Sequence, residues 1–342
     1  MYKYYCHKCG ETVDEVKIPR CPRCGGVYEL SYRYESLTNI FKALNGSITH
    51  WKYYSFMPIN YNNTKIITMG EGGTPLILSR LNSHLLFKCE YINPTGSFKD
   101  RASSLEVTLA QGKDEIVVAT TGNMGSSLAA YAAFAGMKCR VFMPEDIYNN
   151  KHSAKVTHME MCGAIIVPIK GDYTAAMLAA EHYYLEHPNS YLAGDYGVRI
   201  EGTKSVGFEI CDQLGWEVPD YIVVPVGNGT LLRSIHKAFI DLNTFNIIDK
   251  LPKIIGVKSN DPEHTIATAI ACPKPSLDHL VTTVAKQIIT VTDDEIMIAR
   301  RLLALQGMYV EPGGAAAYAG YKQLDLKGTV VILLTGHGLK SL

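Results

Sequence analysis

From about Glu115 onward the chain alternates short runs of β-branched residues with longer segments whose small and apolar positions recur at helical spacing. The pattern predicts a strand over 116–119, a small-residue helix over 124–135 and a strand over 139–143. A helix over 150–161, a strand over 164–167 and a helix over 173–186 continue it. A second set follows, with strands over 221–226, 254–257 and 329–334, a helix after Thr230, and helices over 293–305 and 313–324. Strands alternating with helices predict an α/β protein with parallel sheets, and two such sets predict two lobes with a cleft between them.

Length agrees with that division, because 342 residues exceed one ordinary domain and leave room for a small appended module. Apolar residues at 47% against charged residues at 19% predict a chain that folds throughout. A formal net charge of zero gives no long-range field for nucleic acid or an anionic membrane surface, so neither is an expected partner. No stretch approaches the roughly 18 apolar residues of a membrane span. The opening Met-Tyr-Lys-Tyr-Tyr-Cys has no apolar signal core, and a cytoplasmic location is expected.

The first residues carry two C-x-x-C knuckles, Cys6-His7-Lys8-Cys9-Gly10 and Cys21-Pro22-Arg23-Cys24-Gly25. Each knuckle puts two thiolates on one side of a tight turn that the glycine permits, and four sulfurs complete a tetrahedral shell. A structural zinc ribbon is the expectation, with a redox dithiol or free thiols as the other readings. His7 reads as a bystander. Ribbon lysines and arginines are offset by Glu11, Asp14 and Glu15, so a nucleic-acid role finds little support. Cys89, Cys139, Cys162, Cys211 and Cys272 are scattered among apolar neighbours and read as reduced core residues.

Asn93-Pro94-Thr95-Gly96-Ser97-Phe98-Lys99-Asp100-Arg101 is a turn-rich run that places Lys99 in the first turn of a helix. A helix N-terminus disfavours an ammonium ion, which favours a nucleophilic amine, although a lysine there is more often solvated surface. Residues 119–125 (Ala-Thr-Thr-Gly-Asn-Met-Gly) and 226–231 (Val-Gly-Asn-Gly-Thr-Leu) each lie between a predicted strand and helix. Their backbone N–H groups suit an anion, and an ordinary capped βα turn is the bland alternative. Neither G-x-G-x-x-G nor G-x-x-x-x-G-K-[ST] occurs, which argues against dinucleotide or ATP binding. Thr335 closes a predicted strand, at the end that would deliver its hydroxyl to the cleft.

The Lys99 segment resembles the cofactor-lysine motif of the fold-type II pyridoxal-phosphate enzymes, in the form found in threonine synthases. The ribbon, Glu71-Gly72-Gly73-Thr74-Pro75-Leu76 and Thr335-Gly336-His337-Gly338-Leu339-Lys340 extend the resemblance over nearly the whole chain. It implies a two-lobed fold: a ribbon module over 1–32, a large cofactor-binding domain over 33–100 and 206–342, and a small domain over 101–205. It makes Lys99 the catalytic lysine that holds pyridoxal phosphate as a Schiff base. Asn123 contacts the cofactor's phenolic oxygen, Gly227, Asn228, Gly229, Thr230 and Leu231 its phosphate, and Thr335 its ring nitrogen. Thr120, Thr121 and Gly122 receive the substrate carboxylate, and Arg199, in an R-x-E-G-x-K context, receives the substrate phosphate.

The implied reaction turns O-phospho-L-homoserine and water into L-threonine and phosphate in a homodimer. A threonine or serine ammonia-lyase and an O-phosphoserine-using synthase are the rivals sharing the cofactor. A zinc-ribbon binding protein on an inactive fold is the rival from another class. Met124, and Tyr196-Gly197-Val198 before Arg199, depart from the threonine synthase pattern and weaken the assignment of the leaving group.

Overall fold

In the computed structural model, which describes residues 2–16, 18–32, 46–60, 63–150 and 153–341, the apolar runs form strands that are mostly buried on both faces. The ribbon contains β1 (Tyr2–Cys6), β2 (Thr12–Val13) and β3 (Tyr28–Tyr32) in an antiparallel sheet of order β2-β1-β3. After β4 (Leu76–Leu78) and β5 (Leu85–Lys88), helix α1 covers Lys99–Leu109. Then come β6 (Glu115–Ala119), α2 (Asn123–Phe134), β7 (Lys138–Pro144), the single turn α3 (Glu145–Tyr148) and α4 (Ala154–Met161). The part of the 150–161 helix expected at 151 and 152 lies outside the described residues. β8 (Ile165–Ile169), α5 (Tyr173–Glu186) and β9 (Ser190–Leu192) complete a four-stranded parallel sheet of order β8-β7-β6-β9.

Helices α6 (Gly197–Thr203) and α7 (Ser205–Gln213) return the chain to the larger sheet. That sheet is finished by β10 (Tyr221–Pro225), α8 (Thr230–Thr244), β11 (Lys253–Ser259), α9 (Asp278–Val284), β12 (Gln287–Val291), α10 (Asp293–Ala304), α11 (Pro312–Lys322) and β13 (Val330–Leu333). Its order is β12-β11-β10-β13-β5-β4, parallel except for β4 at the edge. Successive side chains of a strand point to opposite faces. Accordingly Val223 and Ile332 pack with α11, while Ile222, Val224, Val331 and Leu333 pack with α7 and α8. Helices on both faces leave these strands no solvent side, hence their continuous apolar runs. The expectation of an α/β protein with a parallel-type sheet in each lobe is met.

Two sequence motifs take their reason from one buried ionic cluster. Arg101, fully buried two residues after Lys99, donates to Glu90 at 2.7 Å from both Nε and Nη2 and to Glu209 at 2.9 and 3.1 Å. Lys88 on β5 donates to Glu209 at 2.5 Å and to the Thr74 carbonyl at 2.7 Å. Glu209 also accepts from the backbone N–H of Gly73 and Thr74. Burial alone would push the Glu209 carboxyl up, but Arg101 and then Lys88 outweigh it and hold the group far below the usual carboxylate range. The Gly72-Gly73-Thr74 turn and the Lys99 segment are therefore clamped to the same charges.

Candidate active site

The carboxyl ends of β6, β10 and β13 and the start of α1 meet at one cavity between the two parallel sheets. Ligand sites of open α/β sheets lie at this end of the strands. Lys99, Thr120, Thr121, Gly122, Asn123, Gly227, Asn228, Gly229, Thr230, Leu231 and Thr335 all line it. The lysine end is fixed by backbone pairing: Phe98 N–H donates to the Thr335 carbonyl at 3.1 Å and His337 N–H to the Gly96 carbonyl at 2.9 Å. Lys340 reaches the Thr95 carbonyl at 2.7 Å. The C-terminal T-G-H-G-L-K run thus holds the turn that aims Lys99.

Among the described residues no carboxylate forms an ion pair with Lys99, whose ammonium lies 4.7 Å from the centre of the Phe98 ring. Burial lowers its pKa, with Arg199 adding to the effect and Asp195, Glu106 and Glu311 opposing it. Such an amine is readier to lose its proton than a surface lysine. Thr120 Oγ1 accepts from the N–H of Gly122 at 3.0 Å and of Gly125 at 3.2 Å, fastening the turn that opens α2. A Cβ on Gly122 would lie 2.7 Å from Cδ of Lys155, so a larger residue there would push the lysine side chain aside.

The loop after β10 is shaped by glycine in two ways. A Cβ on Gly227 would lie 2.8 Å from the Ala269 carbonyl oxygen, and Gly229 has φ of +97°, with Val281 2.6 Å from the Cβ position. The backbone is left bare at the N-terminus of α8, where N–H groups and the helix dipole favour an anion. Asn123 is nearly buried, and its Oδ1 has no hydrogen-bond partner among the described residues, while its Nδ2 donates to Glu311 at 2.7 Å. A buried lysine readier than usual to lose its proton, a loop of bare backbone at a helix N-terminus and an orphaned amide oxygen in one cavity fit pyridoxal phosphate.

Several cavity residues escaped the sequence reading: Lys155, Tyr173, Asp195, Glu311 and the 268–272 stretch. Lys155 and Glu311 form an ion pair at 3.1 Å. The proline after Glu311, which starts α11, was the available signal for the latter. Arg199 is absent from the cavity lining; it is buried, ion-paired through Nη2 to Glu106, with Nε and Nη1 unpartnered. Of the two departures, Met124 lines the cavity and Tyr196 lies outside it, donating to Glu181 at 2.7 Å.

Residues 67–336 match the family described as pyridoxal-phosphate dependent enzyme, and the chain belongs to it. Within that class it is similar to the threonine synthase of Methanocaldococcus jannaschii, 36% identical over 98% of this chain and 92% of the relative. It is also similar to the threonine synthase of a Bacillus species, 38% identical over 84% of this chain and 89% of the relative. Among solved structures, the T.th. threonine deaminase matches with a TM-score of 0.65 and 25% identity over 77% of this chain and 92% of that one.

Proposed function

We propose that the chain is a threonine synthase, converting O-phospho-L-homoserine and water to L-threonine and phosphate at the Lys99 cavity. The observation that carries this is the convergence on Lys99 of the Asn123 turn, the 227–231 loop and Thr335, in a chain whose full-length relatives carry that activity's name. Pyridoxal phosphate would be held by Lys99, by the bare loop at the start of α8, by Asn123 and by Thr335. When bound, it supplies an electron sink that acidifies the hydrogens near the substrate's amino carbon.

The chain's own groups do the rest. The Lys99 amine would take the proton from the substrate's Cα and then one from Cβ as phosphate leaves Cγ; Cγ then gains a proton, water adds at Cβ, and a proton returns to Cα. Thr120, Thr121 and Gly122 orient the substrate carboxylate at the positive end of α2. Thr335 offers the ring nitrogen a neutral partner. Arg199, paired to Glu106 but with two nitrogens that have no partner among the described residues, would serve the substrate phosphate, as the family resemblance implies. Purified, cofactor-loaded protein given O-phosphohomoserine should release L-threonine and phosphate in equal amounts. Turnover confined to O-phosphoserine, threonine or serine would transfer the site to one of the rival reactions.

The domain reading is 1–32 for the ribbon, 33–100 with 206–342 for the cofactor-binding lobe and 101–205 for the small lobe. It is supported by the strands of the three sheets, which fall within those bounds, although residues 33–45 lie outside the described ones. Homodimeric assembly rests on family resemblance, and among the described residues no helix is long and apolar enough to cross a membrane.

A structural zinc ion belongs to the same reading. The Sγ atoms of Cys6, Cys9, Cys21 and Cys24 lie within 4.8 Å of one another, with Cys6 to Cys24 at 3.3 Å and Cys9 to Cys21 at 3.7 Å. Sulfurs around tetrahedral zinc stand about 3.8 Å apart, so the cluster fits with little movement. Metal analysis should find one zinc per chain, lost in Cys9→Ser with Lys99 chemistry retained. Metal-free protein with an intact ribbon would refute the zinc assignment.

A further inference from the structure

One carboxylate in the cavity has no part in the chemistry above. Asp195 follows β9 of the smaller sheet, yet both its oxygens are bound by the loop of the larger one. Asn228 Nδ2 donates to Oδ2 at 2.7 Å and Thr230 Oγ1 donates to Oδ1 at 2.7 Å. Both donors sit at the N-terminal end of α8, a helix of 15 residues. The Asn228 amide is held in place from its other side, since its Oδ1 accepts from Ser276 N–H at 2.5 Å and Ser276 Oγ at 3.0 Å. Its Nδ2 therefore keeps its aim whether or not Asp195 is there.

Burial would push the Asp195 carboxyl up, but Lys99, the bonds from Thr230 and Asn228, and Arg199 together hold it below the usual range. Arg199 keeps Nε and Nη1 without partners. The two side-chain donors at the start of α8 are thus both turned on one aspartate, which places a negative charge beside the loop read as the phosphate site.

We infer that Asp195 is a resident anion occupying the donors of a phosphate-monoester subsite, and that an incoming phosphate must displace it to bind. This rests on the site reading under Proposed function. A dianion and a carboxylate cannot share two donors, because two negative groups both within hydrogen-bond reach of the same donors repel strongly. Displacement also breaks a tie between the lobes, while Asn123 and Lys155 keep theirs to Glu311. The phosphate could be the cofactor's or the substrate's; the chemistry is the same.

Asp195→Asn and Asp195→Ala, made in the full chain, separate the two sources. Pyridoxal phosphate affinity is read by fluorescence titration of cofactor-stripped protein, inorganic phosphate affinity by thermal shift, and KM for O-phosphohomoserine in the loaded enzyme. Removing a rival that holds two charge-assisted hydrogen bonds should tighten binding by about tenfold or more. Tighter pyridoxal phosphate binding in both variants with unchanged KM supports displacement by the cofactor. Unchanged cofactor affinity with lower KM and tighter inorganic phosphate supports displacement by the substrate. Unchanged or weaker affinity for all three overturns the inference. If wild-type protein takes up no pyridoxal phosphate, the site reading falls, and the inorganic phosphate comparison still decides the role of Asp195.

Discussion

Lys99→Ala should leave a folded protein that stays colourless after incubation with pyridoxal phosphate and turns over O-phosphohomoserine at least about 10⁴-fold more slowly. The variant loses both the covalent anchor and the group that moves the Cα proton. Folding should survive, because among the described residues no carboxylate depends on Lys99 for an ion pair, and Asp195 keeps its bonds to Asn228 and Thr230. The stability change is expected within about 1 kcal/mol. Lys99→Arg makes the sharper comparison, since guanidinium keeps the charge but does not give up its proton at neutral pH. Among the described residues, Lys155 is the other lysine at the cavity, and it is committed to Glu311 and offers no substitute. If Lys99→Arg kept more than about a tenth of the activity, charge rather than a free amine would be what the site needs.

Arg101→Met should be the most damaging substitution for stability. The guanidinium is fully buried between Glu90 and Glu209, and methionine fills much of its volume while supplying no donor. Both carboxylates would then compete for Lys88, leaving buried negative charge uncompensated at a cost of roughly 3–5 kcal/mol. Denaturant unfolding of wild type and variant measures this directly. Because the same cluster clamps the Gly73-Thr74 turn and the third residue of α1, cofactor affinity should fall as well. A loss under about 1 kcal/mol would mean that water reaches the cluster and screens it.

Long or uniformly apolar elements were legible in the sequence, because strands buried on both faces must be apolar throughout and α5 is a 14-residue run rich in alanine behind the Asp172 cap. The helices over 197–213 were not read, since Gly197, Gly202 and Gly207 contradict helix propensity. Their reason is tertiary: a Cβ on Gly202 would lie 2.7 Å from Cα of Ala102, so the glycine lets α6 press against α1. Strand β9 has only three residues, too few for alternation to register, and its short length also hid Asp195 just beyond it. Strand β5 ends in Lys88, a charge that reads as surface until Glu209 is seen beside it. The cavity residues read from sequence lie in motifs at strand-to-helix turns, where local chemistry is visible. Lys155 and Glu311 became meaningful only when the fold joined positions far apart in the chain. Arg199 was read as a phosphate ligand, and its bond to Glu106 on α1 was invisible to spacing.

The most direct test follows the oxygen atoms. Cofactor-loaded protein turned over on O-phosphohomoserine in water enriched in ¹⁸O should give L-threonine carrying one labelled oxygen at its β-hydroxyl and phosphate carrying none. That pattern requires cleavage between Cγ and oxygen followed by addition of water at Cβ. Labelled phosphate with homoserine would mean simple phosphoester hydrolysis, and a 2-oxo acid with ammonia would mean an elimination that ends before water is added; either result would contradict the threonine synthase assignment.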